Sequence, residues 1–264
     1  MAFGLIIIGD EILSGKRSDK HLSKVIELLS ARGLQLAWAE IIGDDPARIT
    51  ATLKKTRASG DVVFCCGGIG ATPDDHTRQC AAAALGVPLV LHPEAKALIQ
   101  QRITEMGKLE GKTVDLTTTD HLHRLKMGEF PQDAHIIPNA FNKIPGFSVG
   151  NHYFVPGFPV MAEPMITWVL DTHFAQLFHQ HAHEEQSLLV FEIAESALTP
   201  LMEQLESEFL DIKVFSLPSV GNQQETRRHI ELGVKGQPEQ VGLAFAVLKL
   251  ALDAMQAEYA PVPV

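Results

Sequence analysis

The first third of the chain alternates between short apolar runs and segments whose apolar residues recur every three or four positions. Residues 3–8 (FGLIII) form such a run, which is typical of a strand buried on both faces of a parallel sheet. Apolar residues then recur at helical spacing from Leu22 to Leu29, and Gly33 ends the predicted helix. The alternation continues with a strand at 34–42, a helix at 46–60, a strand at 61–66 and a helix at 77–85. Asp44 or Asp45 is the predicted N-cap of the helix at 46–60, and Pro46 is its first residue. This order predicts an α/β protein with a mainly parallel sheet.

The pattern weakens after Gly86 and then changes character. We predict a strand at 89–91, a helix at 93–106, a Thr-rich stretch at 107–133 that is irregular apart from one helical turn, strands at 135–138 and 153–156, and a helix at 159–170. Residues 179–186 (HQHAHEEQ) resemble a linker. Beyond them, a strand at 187–193, a helix at 197–209, strands at 212–217 and 228–234 and a helix at 238–257 predict a small α+β domain. The predicted domains are therefore 1–178 and 187–264.

Composition and charge exclude several classes of protein. The 264 residues are 45% hydrophobic and 20% charged, which is ordinary for a globular chain. With 22 Lys and Arg against 32 Asp and Glu, the net charge of −10 argues against a nucleic-acid partner. The sequence contains neither an 18-residue apolar run nor the basic start of a signal peptide, so we expect no membrane span. Three cysteines, Cys65, Cys66 and Cys80, indicate buried thiols in a reducing cytoplasm.

The segment CGGIGATPDDHT, residues 66–77, lies between a predicted buried strand and a predicted helix. Gly67, Gly68 and Gly70 allow a ligand to approach the backbone, and a helix N-terminus attracts anions, so phosphate is the expected guest. Asp74 and Asp75 would repel a polyphosphate unless a divalent cation bridges them. Alternatively the segment is an ordinary strand-to-helix turn, with Thr72 as the N-cap, Pro73 at the first helical position and Asp75 completing a capping box.

A second acidic loop, GDEILSGK at residues 9–16, follows the first predicted strand. Its spacing misses the P-loop pattern, and the segment 68–73 misses the dinucleotide-binding glycine pattern, so neither of these sites is predicted. Asp10 and Glu11 nonetheless lie at the sheet edge where open α/β folds bind ligands. A solvated turn is the alternative. Together, the two acidic loops suggest one shared metal and phosphate site.

The stretch 137–161 contains two PGF triplets together with Asn139 and Asn142. Pro-Gly turns expose backbone N–H groups that can hold an anion or face a planar ring, and asparagines offer directional hydrogen bonds. Plain turns between hairpin strands are the alternative. Basic residues near the three loops could contact phosphate, although solvated side chains are the default, and His179, His181 and His183 could bind a stray metal ion in a solvated linker. These basic residues are Lys16, Arg17, Arg78 and Lys143.

Five motifs occur in an order that resembles a known family. They are GDEILSG at 9–15, GGIGATPDDHT at 67–77, PN at 138–139, PGF at 145–147 and VPGFPVM at 155–161. The sequence over about 3–170 resembles the molybdopterin-binding (molybdenum cofactor biosynthesis) domain, in particular the amino-terminal domain of CinA-type competence/damage-inducible proteins. The related domain of eukaryotic FAD synthases is also similar.

The resemblance implies a three-layer α/β/α fold with a mainly parallel sheet, and a homo-oligomer such as a dimer or trimer. Some members bind molybdopterin and adenylate it or insert molybdate, and the CinA-like branch includes divalent-metal-dependent pyrophosphatases of ADP-ribose or FAD-like nucleotides. Carried over motif by motif, the acidic positions, expected to be catalytic and to hold Mg²⁺, Mn²⁺ or Co²⁺, are Asp10, Glu11, Asp74 and Asp75. The expected ligand-binding positions are Gly9, Ser14, Gly15, Gly67, Gly68, Gly70, Thr72, Asn139, Pro156 and Gly157.

Two features depart from the family pattern. Ala140 stands where a second proline is frequent, which loosens that loop, and the residues after 170 lack the length and motifs of the amidase domain of full-length CinA-type proteins. We therefore expect a cytoplasmic, metal-dependent hydrolase of a nucleotide diphosphate linkage without deamidase activity. A non-catalytic protein that binds molybdopterin or a nucleotide is the alternative, and adenylyl transfer to molybdopterin is a third.

Overall fold

The sheet of the first unit is built around β1 (Phe3–Ile8), whose six residues are all buried. The computed structural model describes residues 2–111, 113–180, 184–221 and 225–263, and the chain divides into two units, 1–178 and 179–264. The remaining strands of the first unit are β2 (Leu36–Ile42), β3 (Val62–Cys66), β4 (Leu89–Leu91), β5 (Glu129–Pro131), β6 (His135–Ile137), β7 (Gly146–Val149) and β8 (His152–Val155). Six of the eight strands pair in the order β2-β1-β3-β8-β7-β6, and β4 pairs with β5. The first four strands of that order are parallel, and β7 runs antiparallel to both of its neighbours, β8 and β6.

Helices cover both faces of the six-stranded sheet. They are α1 (Asp10–Leu13), α2 (His21–Ser30), α3 (Pro46–Ser59), α4 (Thr77–Leu85), α5 (Pro93–Leu109), α6 (Thr119–Leu125) and α7 (Pro159–His173). Because side chains alternate across a strand, Leu5 and Ile7 of β1 pack with α2 and α7. Ile6 and Ile8 face the opposite way and pack with α3, α4 and α5. The predicted three-layer α/β/α fold with a mainly parallel sheet is therefore confirmed.

The second unit is a four-stranded antiparallel sheet with two helices. Its elements are β9 (Glu184–Phe191), α8 (Glu195–Glu208), β10 (Lys213–Ser219), β11 (His229–Gly236), α9 (Pro238–Ala254) and β12 (Tyr259–Pro261). The strand order is β10-β11-β9-β12. Leu188, Leu232 and Val234 of the sheet share one core with Leu198 of α8 and Leu248 of α9. The predicted β-α-β-β-α order occurs, followed by β12, which the sequence pattern missed.

Some predicted boundaries are wrong. Residues 107–133, predicted to be irregular apart from one helical turn, contain the seven-residue α6, a short 3₁₀ helix at 126–128 and β5, although Lys112 lies outside the described residues. The predicted linker 179–186 overlaps β9, which begins at Glu184, and residues 181–183, with His181 and His183, lie outside the described part. The alternative in which Thr72 caps a helix is also wrong, because α4 begins at Thr77 and Thr72 belongs to a separate turn.

The three thiols are unpaired and buried, as predicted. Cys65 and Cys66 lie in β3, where burial raises the pKa of both thiols far above the ordinary value. Cys80 lies in α4, and burial raises the pKa of its thiol as well. Through the described residues, no helix is long and apolar enough to cross a membrane.

Candidate functional site

A cavity of about 370 Å³ lies at the carboxyl ends of β1, β3 and β8. This is the edge of an open α/β sheet at which loops from different strands converge. Eleven of the predicted site residues line it, namely Gly9, Glu11, Gly67, Gly68, Gly70, Thr72, Asp74, Asp75, Asn139, Pro156 and Gly157. The loops after the first and third strands and the second PGF loop therefore line one cavity.

The remaining predicted residues lie outside this cavity. Asp10 and Ser14 line a neighbouring, more open depression together with Glu11 and Asp74. Gly15 lines neither cavity, and a Cβ placed on it would meet nothing within 4 Å. Gly15 has φ 71° at the end of α1, so its glycine serves the turn that ends this short helix.

The loop after β1 is locked to the loop after β2 by two reciprocal hydrogen bonds. The Asp10 N–H donates to the Asp44 carboxylate at 2.8 Å, and the Asp44 N–H donates to the Asp10 carboxylate at 3.2 Å. Gly43 fits beside them because a Cβ there would lie 2.3 Å from Asp10 Oδ1. These two hydrogen bonds hold the carboxylates of Asp10 and Asp44 side by side at the edge of the cavity, which we call the rim.

Asp44 is an acidic residue of the site that the sequence analysis assigned only to a helix cap. It lines both cavities. Burial raises the pKa of its carboxyl group, and the charges of Asp10, Glu11 and Asp74 raise it further. The carboxylates are thus close enough to repel one another, so the rim is strongly negative. The signal for Asp44 was its position directly after a strand parallel to β1, at the same sheet edge.

The glycine loop after β3 passes very close to its neighbours. Gly67 has φ 112°, and a Cβ on it would lie 2.2 Å from the Ile8 carbonyl oxygen. The Gly67 N–H donates to the Val155 carbonyl at 3.1 Å, and a Cβ on Gly157 would lie 3.4 Å from Gly67 Cα. Only a residue without a side chain fits at Gly67, which explains the glycine.

The two aspartates of this loop differ in their surroundings. Asp75 Oδ2 accepts hydrogen bonds from the Thr72 N–H at 2.8 Å and from the Thr72 hydroxyl at 2.5 Å. These contacts close a local turn and hold the Asp75 carboxylate in one orientation. Asp74 is exposed, and hydrogen bonding lowers the pKa of its carboxyl group. Asp74 is therefore ionised and free to contact a ligand.

Part of the cavity lining is apolar, and we call its residues Met127, Ile144, Phe158 and Met161 the apolar wall. Asn139 also lines the cavity, but its side-chain amide donates within its own loop, to Asn142 Oδ1 and to the Ile144 carbonyl, each at 2.9 Å. The buried Asn139 therefore shapes the wall.

The basic residues near the loops occupy different positions. Arg17 lines the cavity and Lys16 the neighbouring depression. Lys143 is paired with Glu105 at 2.5 Å. Arg78 is buried beneath the glycine loop, where its Nη2 donates to the Gly70 carbonyl at 2.5 Å. Arg17 is thus the cationic side chain best placed to meet an anion in the cavity.

The acidic residues do not form a ready-made metal cage. Across residues 2–111, 113–180, 184–221 and 225–263, no three His, Cys, Asp or Glu side chains are grouped so that they could hold a metal ion. Glu11, Asp44, Asp74 and Asp75 share the rim without converging on one point. The site therefore offers separate carboxylate ligands around an open space.

The family of the chain follows from its match to a family model described as a probable molybdopterin binding domain, which covers residues 4–179. The chain belongs to this family. The matched range contains every residue that lines the 370 Å³ cavity, and it ends at the boundary between the two units. We call the matched part of the chain the molybdopterin-binding domain, after the family. The second unit lies almost entirely outside it.

Relatives of the molybdopterin-binding domain include CinA-like proteins. One from Anaeromyxobacter sp. (strain Fw109-5) is 32% identical over 213 residues, 77% of this chain and 49% of that protein. Another from Syntrophotalea carbinolica is 31% identical over 216 residues, 78% of this chain and 50% of that protein. The chain thus spans about half the length of the curated relatives it matches. A crystal structure of CinA from Thermoplasma acidophilum, described as having unknown function, shares the fold, with a TM-score of 0.55 and 24% identity over 65% of this chain and 98% of that one.

Proposed function

We propose that the molybdopterin-binding domain binds a phosphorylated planar heterocycle, either a nucleotide or a pterin, and hydrolyses a diphosphate linkage in it with the help of a divalent cation. The observation that carries the proposal is the 370 Å³ cavity, which is lined by a glycine loop, a carboxylate rim and an apolar wall. Each of these three parts suits a different part of such a substrate.

The apolar wall suits the ring. Met127, Phe158 and Met161 present flat or polarisable apolar surface, against which a planar heterocycle can stack while its edges stay in contact with polar groups. Ligand sites of this kind combine a mainly apolar lining with a few polar groups that fix orientation. The ring would therefore lie between the 139–145 loop and the start of α7.

The glycine loop and Arg17 suit the phosphates. Backbone N–H groups of a strand-to-helix loop form concave anion sites, and a guanidinium group can bind phosphate oxygens in a bidentate manner. Both features border the cavity. Donors that are already oriented would stabilise the negative charge that develops on the phosphoryl oxygens during hydrolysis.

The carboxylate rim suits a hard divalent cation such as Mg²⁺ or Mn²⁺. Mg²⁺ is usually held by one or two carboxylates together with substrate phosphates and waters, without a cage of protein ligands. The separated carboxylates of Glu11, Asp44 and Asp74 match this donor set, with Asp10 and Asp75 adjacent. When bound, the cation would neutralise the diphosphate and polarise its phosphorus–oxygen bonds.

The chain's own residues would then position the attacking water. A rim carboxylate, Glu11 or Asp74, accepts a proton from this water as it attacks phosphorus. Asp75, which accepts two hydrogen bonds from Thr72, would keep the glycine loop in the conformation that binds the phosphates. As the water oxygen bonds to phosphorus, the bond from that phosphorus to the bridging oxygen would break. The leaving phosphate would take up a proton from solvent and the carboxylate would return its own proton to solvent, since the rim is open to water on the side of Asp74.

Product analysis by chromatography tests the proposal. The purified protein is incubated with ADP-ribose, FAD, NAD or ATP, each with and without Mg²⁺, Mn²⁺ or Co²⁺. The expected result is AMP together with the matching phosphate half, formed only when the metal is present. Absence of product from every pair would overturn the hydrolase proposal.

Asp75→Asn tests the acidic pair. Because the amide replaces a charged acceptor that holds the turn, we expect turnover to disappear while the fold stays intact by circular dichroism. Asp133→Asn, at an exposed position outside both cavities, serves as the matched control with unchanged turnover. Unchanged turnover in Asp75→Asn would contradict the role of the acidic pair.

Binding without turnover is the second candidate, because the apolar part of the cavity lining suits a bound ring whether or not the carboxylates take part in any chemistry. The cavity would then hold a molybdopterin or nucleotide as a carrier site. A pure binding protein shows a higher Tm on addition of ligand and releases no product. Subunit number and cytoplasmic location stay predictions, and size-exclusion chromatography with light scattering measures the former.

A further inference from the structure

Two residues of α4, Thr77 and Arg78, hold the carbonyl groups of the glycine loop in one orientation. The Thr77 hydroxyl donates to the Gly67 carbonyl at 3.0 Å, and the Thr77 N–H donates to the Gly68 carbonyl at 3.0 Å. Arg78 Nη2 donates to the Gly70 carbonyl. Both side chains are buried, with Thr77 0% and Arg78 3% exposed. Three loop carbonyls therefore point toward the start of α4.

The orientation of these carbonyls fixes the orientation of the N–H groups that follow them. In a planar trans peptide the C=O of one residue and the N–H of the next point in opposite directions, and the described residues contain no cis peptide bond. The N–H groups of Gly68, Ile69 and Ala71 must then point away from α4. Within the described residues none of these three groups donates a hydrogen bond to the protein, and all three residues line the cavity.

Arg78 is not explained by stability alone. Burying a guanidinium group is unfavourable unless it is fully paired, yet its Nε and Nη1 atoms are buried without a hydrogen-bond partner. Burial lowers the pKa of the Arg78 guanidinium group, and the charges of Asp75 and Glu129 oppose this effect only in part. A buried polar group left partly unsatisfied calls for a functional reason.

We propose that Thr77 and Arg78 are positioning residues that turn the loop carbonyls inward and thereby aim the N–H groups of Gly68, Ile69 and Ala71 at a phosphoryl group. Neither side chain touches the ligand, and each acts through the backbone. The positive charge of Arg78 lies directly behind the loop and favours an anion in front of it. The inference rests on the proposed phosphate binding and does not depend on hydrolysis.

Calorimetric titration with inorganic pyrophosphate, with and without Mg²⁺, tests both residues. Thr77→Val removes the hydroxyl and keeps the shape of the side chain, so we expect about tenfold weaker binding from the loss of one oriented contact. Thr77→Ser keeps the hydroxyl and should bind within about threefold of the wild type, a difference below 1 kcal/mol. Arg78→Met should bind about tenfold more weakly, and Arg78→Lys should recover part of the loss because its charge remains.

A matched control separates positioning from general damage to the fold. Thr56→Val removes another buried hydroxyl, 3% exposed, which bonds to the Thr52 carbonyl in α3. We expect it to lower Tm without changing the affinity for pyrophosphate. The ratio of Kd for adenosine to Kd for AMP is the second readout. A generally loosened fold weakens the binding of both ligands, whereas misoriented N–H groups in the glycine loop weaken the binding of AMP alone.

Each outcome decides a different question. Wild-type affinity for pyrophosphate in folded Thr77→Val and Arg78→Met overturns the positioning roles and leaves the proposed function standing. Binding that is weakened as expected, but with no hydrolysis, supports the positioning roles and overturns only the hydrolase. Absence of pyrophosphate binding in the wild type overturns both phosphate proposals. If Thr77→Val does not fold, amide hydrogen exchange in the wild type decides: pyrophosphate must slow exchange at Gly68, Ile69 and Ala71, and no slowing overturns the inference.

Discussion

His152, at the start of β8, is 2% exposed, and its Nε2 lies 2.8 Å from the Thr56 hydroxyl oxygen. Burial lowers its pKa from 6.5 to about 4, and the charge of Arg57 adds to the effect. Between these two pH values the unfolded chain binds a proton that the folded chain does not bind. We therefore expect the free energy of unfolding to fall as pH decreases from 6.5 toward 4, by about 3 kcal/mol from this group.

Urea unfolding at pH values above 6.5 and near 4 measures this contribution. His152→Gln keeps a group that can bond to Thr56 and does not titrate, so its stability should depend less on pH than that of the wild type. Carboxylates change protonation equally in both proteins, and the difference between the two curves isolates the histidine. Parallel curves would contradict the assignment.

Adjacent aspartates at the start of α3 show which residue roles a sequence can predict. A helix cap depends on neighbours only, and the sequence correctly predicted a cap at Asp44 or Asp45 with Pro46 first in the helix. In the structure Asp45 is the cap and accepts from the Arg48 N–H at 2.7 Å. The bond between Asp44 and Asp10 joins residues 34 apart, and no local pattern encodes such a contact. The site role of Asp44 was missed for this reason.

At the scale of elements, the β3–α4 turn tests how much of the site depends on backbone conformation. Gly68 and Gly86 flank α4 with nearly equal φ values of 67° and 71°, but a Cβ on Gly68 would lie 2.2 Å from Thr77 Oγ1, whereas on Gly86 it would meet nothing within 4 Å. We expect Gly86→Ala to cost about 1–2 kcal/mol of stability from strain alone. Gly68→Ala carries the same strain and also displaces Thr77, so it should abolish pyrophosphate binding.

Thermal unfolding measures the stability of both variants, and calorimetric titration measures their affinity for pyrophosphate. Gly86→Ala is the matched control, since it adds the same methyl group at the same backbone conformation. Pyrophosphate affinity should stay at the wild-type value in Gly86→Ala. Equal affinity in the two variants would show that the close approach of Gly68 to Thr77 has no bearing on the site.

The elements that the sequence predicted well are those with strong local signals. β1 and β3 are continuous apolar runs, and α3 has a proline at its start and Gly60 at its end. The missed strands β5, β7 and β12 have three or four residues each and, unlike the equally short β4 and β6, which were predicted, each contains a proline or a glycine, which local patterns assign to turns. They form because neighbouring strands offer hydrogen bonds, a condition that only the folded chain supplies.

At the scale of the whole molecule, every residue of the cavity lies in the first unit, between Ile8 and Met161. That unit has its own two-sided core, and the second unit has a separate one. We expect residues 1–178 expressed alone to fold and to bind pyrophosphate within about threefold of the full chain, a difference below 1 kcal/mol. Circular dichroism and calorimetric titration measure both. A folded fragment that binds no pyrophosphate, beside a full chain that does, would contradict the prediction.

The burial of all three thiols makes the chain a convenient object for site-specific labelling. Cys65, Cys66 and Cys80 are sealed in the core, and burial keeps them in the unreactive protonated form. A thiol-reactive dye should therefore leave the native wild type unmodified and react only after denaturation, which absorbance of a thiol reagent would show. One cysteine introduced at an exposed position, such as Ala71→Cys beside the cavity, would then carry a single fluorophore that reports ligand entry without removal of any native cysteine.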